Sequence, residues 1–310
     1  LQNNSAIVRE LTREHACRAL LVEMNRGVKD ASIRAWITAH CHLSGGKKSV
    51  CCEQIAFALT GVSRGRLRNT VFAHLTSDLP LILWWQGELS SIFEERLYSV
   101  IDRFVFDSSD WAQPVSSFSL IRDAISSGRV LVVQDLAWTR TYHWRLAVAS
   151  MFDDPLAQQA LPHIDTVQIT HHPRHRNSAL QLLAWLATQA GWRQGMELQL
   201  AVAKSHGNKQ GISLERKTGE PVAATLIADE AAAPLGGLVI RGGGLEIVIE
   251  RTPDSPHLQM RLQVGEHGTE SLAPAGGDDC GSLIGDQLAR GGKNSLYLKI
   301  LPMFLKLLET

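Results

Sequence analysis

The sequence predicts a two-domain α/β protein. An N-terminal α/β domain over 1–156 is expected to lead from an antiparallel meander into a mainly parallel βαβ sheet. A C-terminal α+β domain over 157–310 is expected to hold a mostly antiparallel sheet. Three observations carry this expectation. The chain has 310 residues, more than one hydrophobic core usually supports. Between Leu79 and Gln134, apolar runs of strand length alternate with segments of helical periodicity, the rhythm of a right-handed parallel sheet. After Trp192 that rhythm gives way to closely spaced strand-like runs separated by turn residues.

Each element follows from local pattern. Ile7, Val8 and Leu11 recur at helical spacing and predict a helix over 5–15. Residues 17–24, 32–43 and 49–60 read as three strands, separated by Asn25-Arg-Gly and Ser44-Gly-Gly-Lys-Lys, and together they predict the meander. A helix over 65–77, with Leu67, Val71, Phe72 and Leu75 on one side, leads into the apolar run 79–83. That run alternates too little for a half-exposed strand, so it is expected to be buried on both faces. A helix over 90–101 with Ser90 or Ser91 as cap, a strand over 103–107, a helix over 114–127 and a strand over 129–134 complete the βαβαβ pattern. Beyond Asp153-Asp-Pro, a strand is expected over 163–170. The helix expected over 177–190 carries one stripe of Leu180, Leu183, Ala184, Leu186 and Ala187 and stops at Gly191. Strands come next over 197–203, 212–216, 223–227, 238–241, 245–251 and 258–264, with Gly242-Gly-Gly as a hairpin turn, and helices close the chain over 278–290 and 295–308.

Lys+Arg and Asp+Glu are equal at 31 each, so no global field draws the chain to nucleic acid or to an anionic membrane. No apolar run reaches the length of a bilayer span, and Leu1-Gln-Asn-Asn-Ser has no secretory pattern, which predicts a cytoplasmic protein. The lack of an initiator Met predicts native residues ahead of Leu1. Five cysteines without a CxxC predict reduced thiols.

The chemistry-bearing residues collect after the carboxyl ends of the predicted parallel strands, where open α/β sheets build their sites. Trp84 and Trp85 close the first strand and point to opposite faces. Asp107-Ser-Ser-Asp-Trp111 follows the second strand and Asp135-Leu-Ala-Trp138 the third. Trp138, Arg140, Tyr142, Trp144 and Arg145 then crowd the start of a helix, and Trp, Tyr and Arg are the residues enriched at interface hot spots. These observations nominate Trp84, Trp85, Trp111, Asp135, Trp138, Arg140, Trp144 and Arg145 for contact with a partner. The competing reading makes the tryptophans core residues and lets Arg145 reach solvent beside them. Asp107 and Asp135 could pair as carboxylates, although acids at strand ends more often accept from loop amides, and Ser108 or Ser109 could cap the next segment. Neither a GxGxxG after a first strand nor a GxxxxGK[ST] is present, so the usual backbone devices for cradling phosphate are missing. His40 with His42, and His171-His-Pro-Arg-His175, lack further ligands at convincing spacing, so no metal, cofactor or catalytic constellation is expected.

Taken in order, Val50-Cys-Cys-Glu-Gln54, Asp78-Leu-Pro with Leu83-Trp-Trp85, Arg103-Phe-Val-Phe-Asp-Ser108, Asp135-Leu-Ala-Trp-Thr-Arg140 with Trp144-Arg145, and Leu182-Leu-Ala-Trp-Leu-Ala187 with Gly191-Trp192 form a recognisable series. It resembles the bacterial OpcA family of glucose-6-phosphate dehydrogenase assembly proteins, over about residues 15–195. The resemblance implies a non-catalytic partner of glucose-6-phosphate dehydrogenase, serving its assembly or allosteric activation at the entry to the oxidative pentose phosphate pathway. The alternative, from the residues alone, is an enzyme or sensor that binds a sugar phosphate or nucleotide with Asp107, Ser108 and Asp135.

Overall fold

The computed structural model describes residues 2–310 apart from 26, 45–46, 62–68, 70–72, 75–77, 91, 128–130, 196–206 and 291–293. Most of the expected helix over 65–77 and the whole of the expected strand over 197–203 lie outside the described residues. The chain forms two compact units. Unit 1 comprises Leu1–Leu83, Ser91–Arg103 and Asp279–Gly291, and unit 2 comprises Trp84–Ser90, Phe104–Asp278 and Gly292–Thr310. The boundary expected at 156/157 therefore falls inside unit 2, and both units are built from separated stretches of chain.

In unit 1, helix α1 (Gln2–Leu11) precedes strands β1 (Arg18–Asn25), β2 (Ser32–Ser44) and β3 (Lys47–Thr60), arranged β1-β3-β2. β2 and β3 form the expected hairpin, but β1 runs parallel to β3, so the meander is corrected to a mixed sheet. The physical reason lies in β3. Cys52, Gln54, Ile55, Ala56, Phe57 and Leu59 are buried on both of its faces, which suits the central strand of the sheet and leaves the exposed β2 at an edge. Ser5 Oγ donates to Gln54 Oε1 at 3.1 Å, tying α1 to the sheet. His40, half of one suspected metal pair, instead shares a hydrogen bond of 3.0 Å with the same amide. Cys17, Cys52 and Cys280 form no disulfide, whereas Cys41 is disulfide-bonded, which corrects the expectation of uniformly reduced cysteines. The helix expected over 90–101 shrinks to α2 (Glu95–Tyr98), whose N-cap Glu94 makes no side-chain capping bond.

A small parallel sheet comes next, ordered β4 (Ile82–Trp85), β5 (Arg103–Phe106) and β6 (Val132–Asp135). The run 79–83 is not its buried centre: Leu79 is 63% exposed and β4 is an edge strand. That place belongs to β5, whose Phe104, Val105 and Phe106 are fully buried. Pro114 opens α3 (Pro114–Ser126), where its missing N–H costs nothing. Beyond β6 the chain forms α4 (Leu136–Arg140), α5 (Tyr142–Met151) and α6 (Pro155–Ala160), the last capped by Asp154.

The rest of unit 2 is built on an eight-stranded sheet. Its strands are β7 (Ile164–His171), β8 (Arg193–Gln194), β9 (Lys209–Glu215), β10 (Pro221–Ala228), β11 (Leu235–Gly242), β12 (Leu245–Glu250), β13 (His257–Val264) and β14 (His267–Pro274). Only the β7–β10 pair is parallel among the registered pairs. Alternate residues such as Val167 and Ile169, Val222 and Ala224, Leu238 and Ile240, and Leu258 and Met260 are buried, so one face is apolar. β14 is an element the periodicity did not announce, because its side chains are nearly all exposed. Helix α7 (Arg176–Ala190) packs on β7 and against α9 (Ser295–Leu308). Every residue from Asn177 to Ala187 is buried, so the expected single stripe is corrected to burial all round. α7 ends at Gly191 with φ of 71°, the left-handed cap expected there. α8 (Cys280–Ala289) belongs to unit 1 and packs on α1. No helix of the described residues is long and apolar enough to cross a membrane.

Candidate functional site

The carboxyl ends of β5 and β6 meet the first turns of α4 and α7 within unit 2, and their polar residues form one interior network. Asp135 caps α4 and is fully buried. It accepts from Ala137 N at 2.9 Å, from Ser108 N and Oγ at 3.1 and 2.7 Å, and from Gln181 Nε2 at 2.6 Å. Asn177 Nδ2 donates to Ser108 O at 2.7 Å, so α7 holds the loop after β5 through Asn177 and the end of β6 through Gln181. Beside it, Arg140 forks onto Asp107 with bonds of 3.0 and 2.6 Å and reaches Ser109 Oγ at 2.9 Å. Ser109 N donates back to Asp107 Oδ1 at 3.0 Å.

The electrostatics follow from this packing. Burial pushes Asp135 up to about 6 and the nearby charge of Asp107 adds to it, while the donors from Ser108 and Gln181 oppose the rise. Burial also works against ionised Asp107, but the hydrogen bonds and charge of Arg140 outweigh it and hold the carboxyl below its ordinary range. Burial, then the charge of Arg140, drives His175 down to about 4. Burial likewise lowers His171, whose Nδ1 lies 2.8 Å from His172 O. His171-His-Pro-Arg-His175 is thus a polar junction between β7 and α7, with Arg174 forked onto Asp110 at its surface.

The aromatic candidates are distributed differently from the sequence expectation. Trp111 is buried, stacks on Phe106 at 4.9 Å and donates from its indole to Gly87 O at 2.9 Å. Trp138 is buried beneath the guanidinium of Arg145, which lies 3.6 Å from the ring centroid, and neighbours Tyr297 at 5.9 Å. Trp144 is buried as well. Trp111, Asp135, Trp138, Arg140 and Trp144 are therefore interior to unit 2 and offer no open surface, a correction set by the apolar packing around them. Trp84, Trp85 and Arg145 keep part of their surface exposed, with Trp85 Nε1 donating to Glu88 O at 3.1 Å.

Chemically, most of the network is spent on itself, while Arg140 Nε and Gln181 Oε1 are buried without a hydrogen-bond partner among the described residues. Each carboxylate already has its donors, and Ser108 Oγ donates to Asp135 instead of standing free as a nucleophile. Asp107, Ser108 and Asp135, the residues of the alternative ligand site, hold the loops together. Asn177, Gln181 and Tyr297 were not singled out from the sequence. Asn177 and Gln181 were detectable in principle, being polar residues four apart in an apolar helix. Tyr297 had no comparable signal.

Fold and site together define a two-unit α/β protein whose parallel-strand ends close on an interior network of charged and amide side chains. The chain belongs to the glucose-6-phosphate dehydrogenase subunit family, OpcA: the N-terminal domain of that family matches residues 8–123 and the C-terminal domain matches residues 131–301. A Synechococcus elongatus protein named as an OxPP cycle protein, OpcA, is 24% identical over 291 residues, covering 86% of this chain and 62% of that protein. The chain thus spans under two thirds of the length of that relative. Among solved structures, KijD10, a 3-ketoreductase from Actinomadura kijaniata, overlaps with a TM-score of 0.46 at 12% identity, over 79% of this chain and 78% of its own. An aldose-aldose oxidoreductase from Caulobacter crescentus overlaps with a TM-score of 0.43 at 12% identity, over 77% and 78%. Likeness at that level bears on neither activity nor ligand.

Proposed function

We propose that this chain is a non-catalytic subunit that binds glucose-6-phosphate dehydrogenase and favours its assembled or active form. The observation that carries the reading is membership of the dehydrogenase-subunit family across both halves of the chain. The strand-end network is consistent with it, since the charged groups an enzyme would turn toward a substrate are here bonded to one another. The same fact removes support from a sugar-phosphate or nucleotide sensor built on Asp107, Ser108 and Asp135. Trp84, Trp85 and Arg145 remain as the contact candidates because they alone of the nominated residues reach the surface.

The test is a titration of the purified chain into the dehydrogenase of the same organism, read by light scattering and by initial rates. Association with a change in the enzyme's KM, kcat or oligomeric mass is the expected result, with no turnover of glucose 6-phosphate and NADP by the chain alone. Trp84→Ala and Trp85→Ala should each weaken association by about 1 kcal/mol or more if they lie at the contact. Absence of association, or turnover by the isolated chain, overturns the reading.

A further inference from the structure

β2 lies at the edge of the unit 1 sheet and is hydrogen-bonded to β3 on one side. An edge strand offers a row of backbone N–H and C=O groups to any second strand, and folds usually protect it with lysine, proline, a bulge or short length. Over Ser32 to Cys41 this edge has none of these. The strand is 13 residues long, its register with β3 is regular from Ser32 to Cys41, and Arg34 is the one formal charge on that stretch. Every residue from Ala31 to Ile37 is exposed, with Ile37 at 68%, Ile33 at 48% and Trp36 at 41%. Ile33, Ala35 and Ile37 share one face, and Arg34 and Trp36 the other.

The order of the side chains says what fits there. Ser32-Ile-Arg-Ala-Trp-Ile-Thr38 is nearly palindromic about Ala35. If two copies pair antiparallel about a two-fold axis at Ala35, Ile33 of each faces Ile37 of the other, Ser32 faces Thr38, and Arg34 faces Trp36. These are a β-branched apolar pair, a hydroxyl pair and a cation set beside an indole, and each occurs twice. Parallel in-register pairing would set Arg34 against Arg34, and pairing β2 with its faces inverted would put the isoleucines opposite the Arg34 and Trp36 face. We infer that β2 is the contact through which two copies of this chain associate, edge to edge and antiparallel, extending one sheet into the other about a two-fold axis.

Sedimentation equilibrium of the full chain without the dehydrogenase tests this. A concentration-dependent dimer is expected. Ile37→Lys sets an ammonium against Ile33 at both symmetric positions and should raise the dimer dissociation constant roughly tenfold or more, while the exposed site leaves the melting temperature unchanged at concentrations where both proteins are monomeric. Combining Ile37→Lys with Ile33→Glu should recover much of the loss, because the introduced carboxylate and ammonium then face each other, which only this register provides. A monomer at all concentrations, a dimer indifferent to Ile37→Lys, or a double variant no tighter than the single one each overturns the inference. So does a monomeric chain whose capture by the dehydrogenase is lost with Ile37→Lys, since the edge would then belong to a different partner.

Discussion

Asp135 shows how far a single residue was legible. Its place after a strand, ahead of a helix, marked it as an acceptor for loop amides, and it accepts from Ser108 N and Ala137 N as such a residue should. Its burial was not legible, because the enclosing donor Gln181 is 46 residues away in the chain. That burial has a consequence for pH. Asp135 is pushed up to about 6 in the folded state, against an ordinary carboxylate value near ~4 when unfolded, so the folded state binds the proton more tightly. Its contribution is fully present below about pH 4 and is lost as pH rises through about 6, amounting to roughly 3 kcal/mol at most. The difference in unfolding free energy between wild type and Asp135→Asn should therefore shrink from pH 4 to pH 7. A difference that is flat or grows across that range would contradict the raised value. Trp138 makes the opposite point: its neighbours in sequence suggested a surface, yet it lies in the interior under Arg145 and beside Tyr297. Trp138→Ala should cost about 3–5 kcal/mol in a denaturant titration, the cost of a large cavity, whereas an exposed interface residue would cost little.

Elements with a strong local signal appeared where periodicity placed them. Pro114 at the start of α3, Gly191 beyond α7 and the glycine turn between β11 and β12 each mark a boundary by backbone chemistry alone. Elements failed where neighbours decide. The run 79–83 is apolar enough for a sheet centre, yet β5 takes that position, with Phe104, Val105 and Phe106 fully buried. β1 paired with β3 and not with β2 because the doubly buried β3 takes the centre of the sheet, a preference no local pattern in β1 reveals. The glycine turn also carries a prediction. Gly242 has φ of 142°, and a Cβ there would overlap the backbone of His163, Ile164 and Asp165 where β11 pairs with β7. Gly242→Ala should therefore destabilise unit 2 by about 2 kcal/mol or more, since rigid backbone must move. Gly244→Ala, with φ of 77° but nothing near its Cβ, should cost about 1 kcal/mol. Equal losses in thermal or chemical denaturation would mean that the overlap at Gly242 is relieved.

At the scale of the whole molecule, composition and rhythm were sufficient for the fold class and insufficient for the partition into units. The chain returns to unit 1 at Asp279, so α8 packs on α1 across most of the sequence, and such long-range closure leaves no trace in local periodicity. Function at this scale is thermodynamic. On the proposed reading the chain adds no chemical step of its own, so it raises the dehydrogenase's activity only by binding the active form better than the inactive one. Binding coupling of this kind is reciprocal. If the chain tightens the enzyme's hold on glucose 6-phosphate, then glucose 6-phosphate must tighten the enzyme's hold on the chain by the same factor. Couplings of about 1–3 kcal/mol correspond to roughly 5- to 150-fold in either affinity, well within the range of a titration. The chain should therefore bind the dehydrogenase more tightly at saturating glucose 6-phosphate than without it, by the factor seen in the substrate's own dissociation constant. If substrate affinity improves while affinity for the chain stays flat, the two equilibria are not linked through a shared active form, and the subunit must act on the enzyme's turnover rate or its assembly instead.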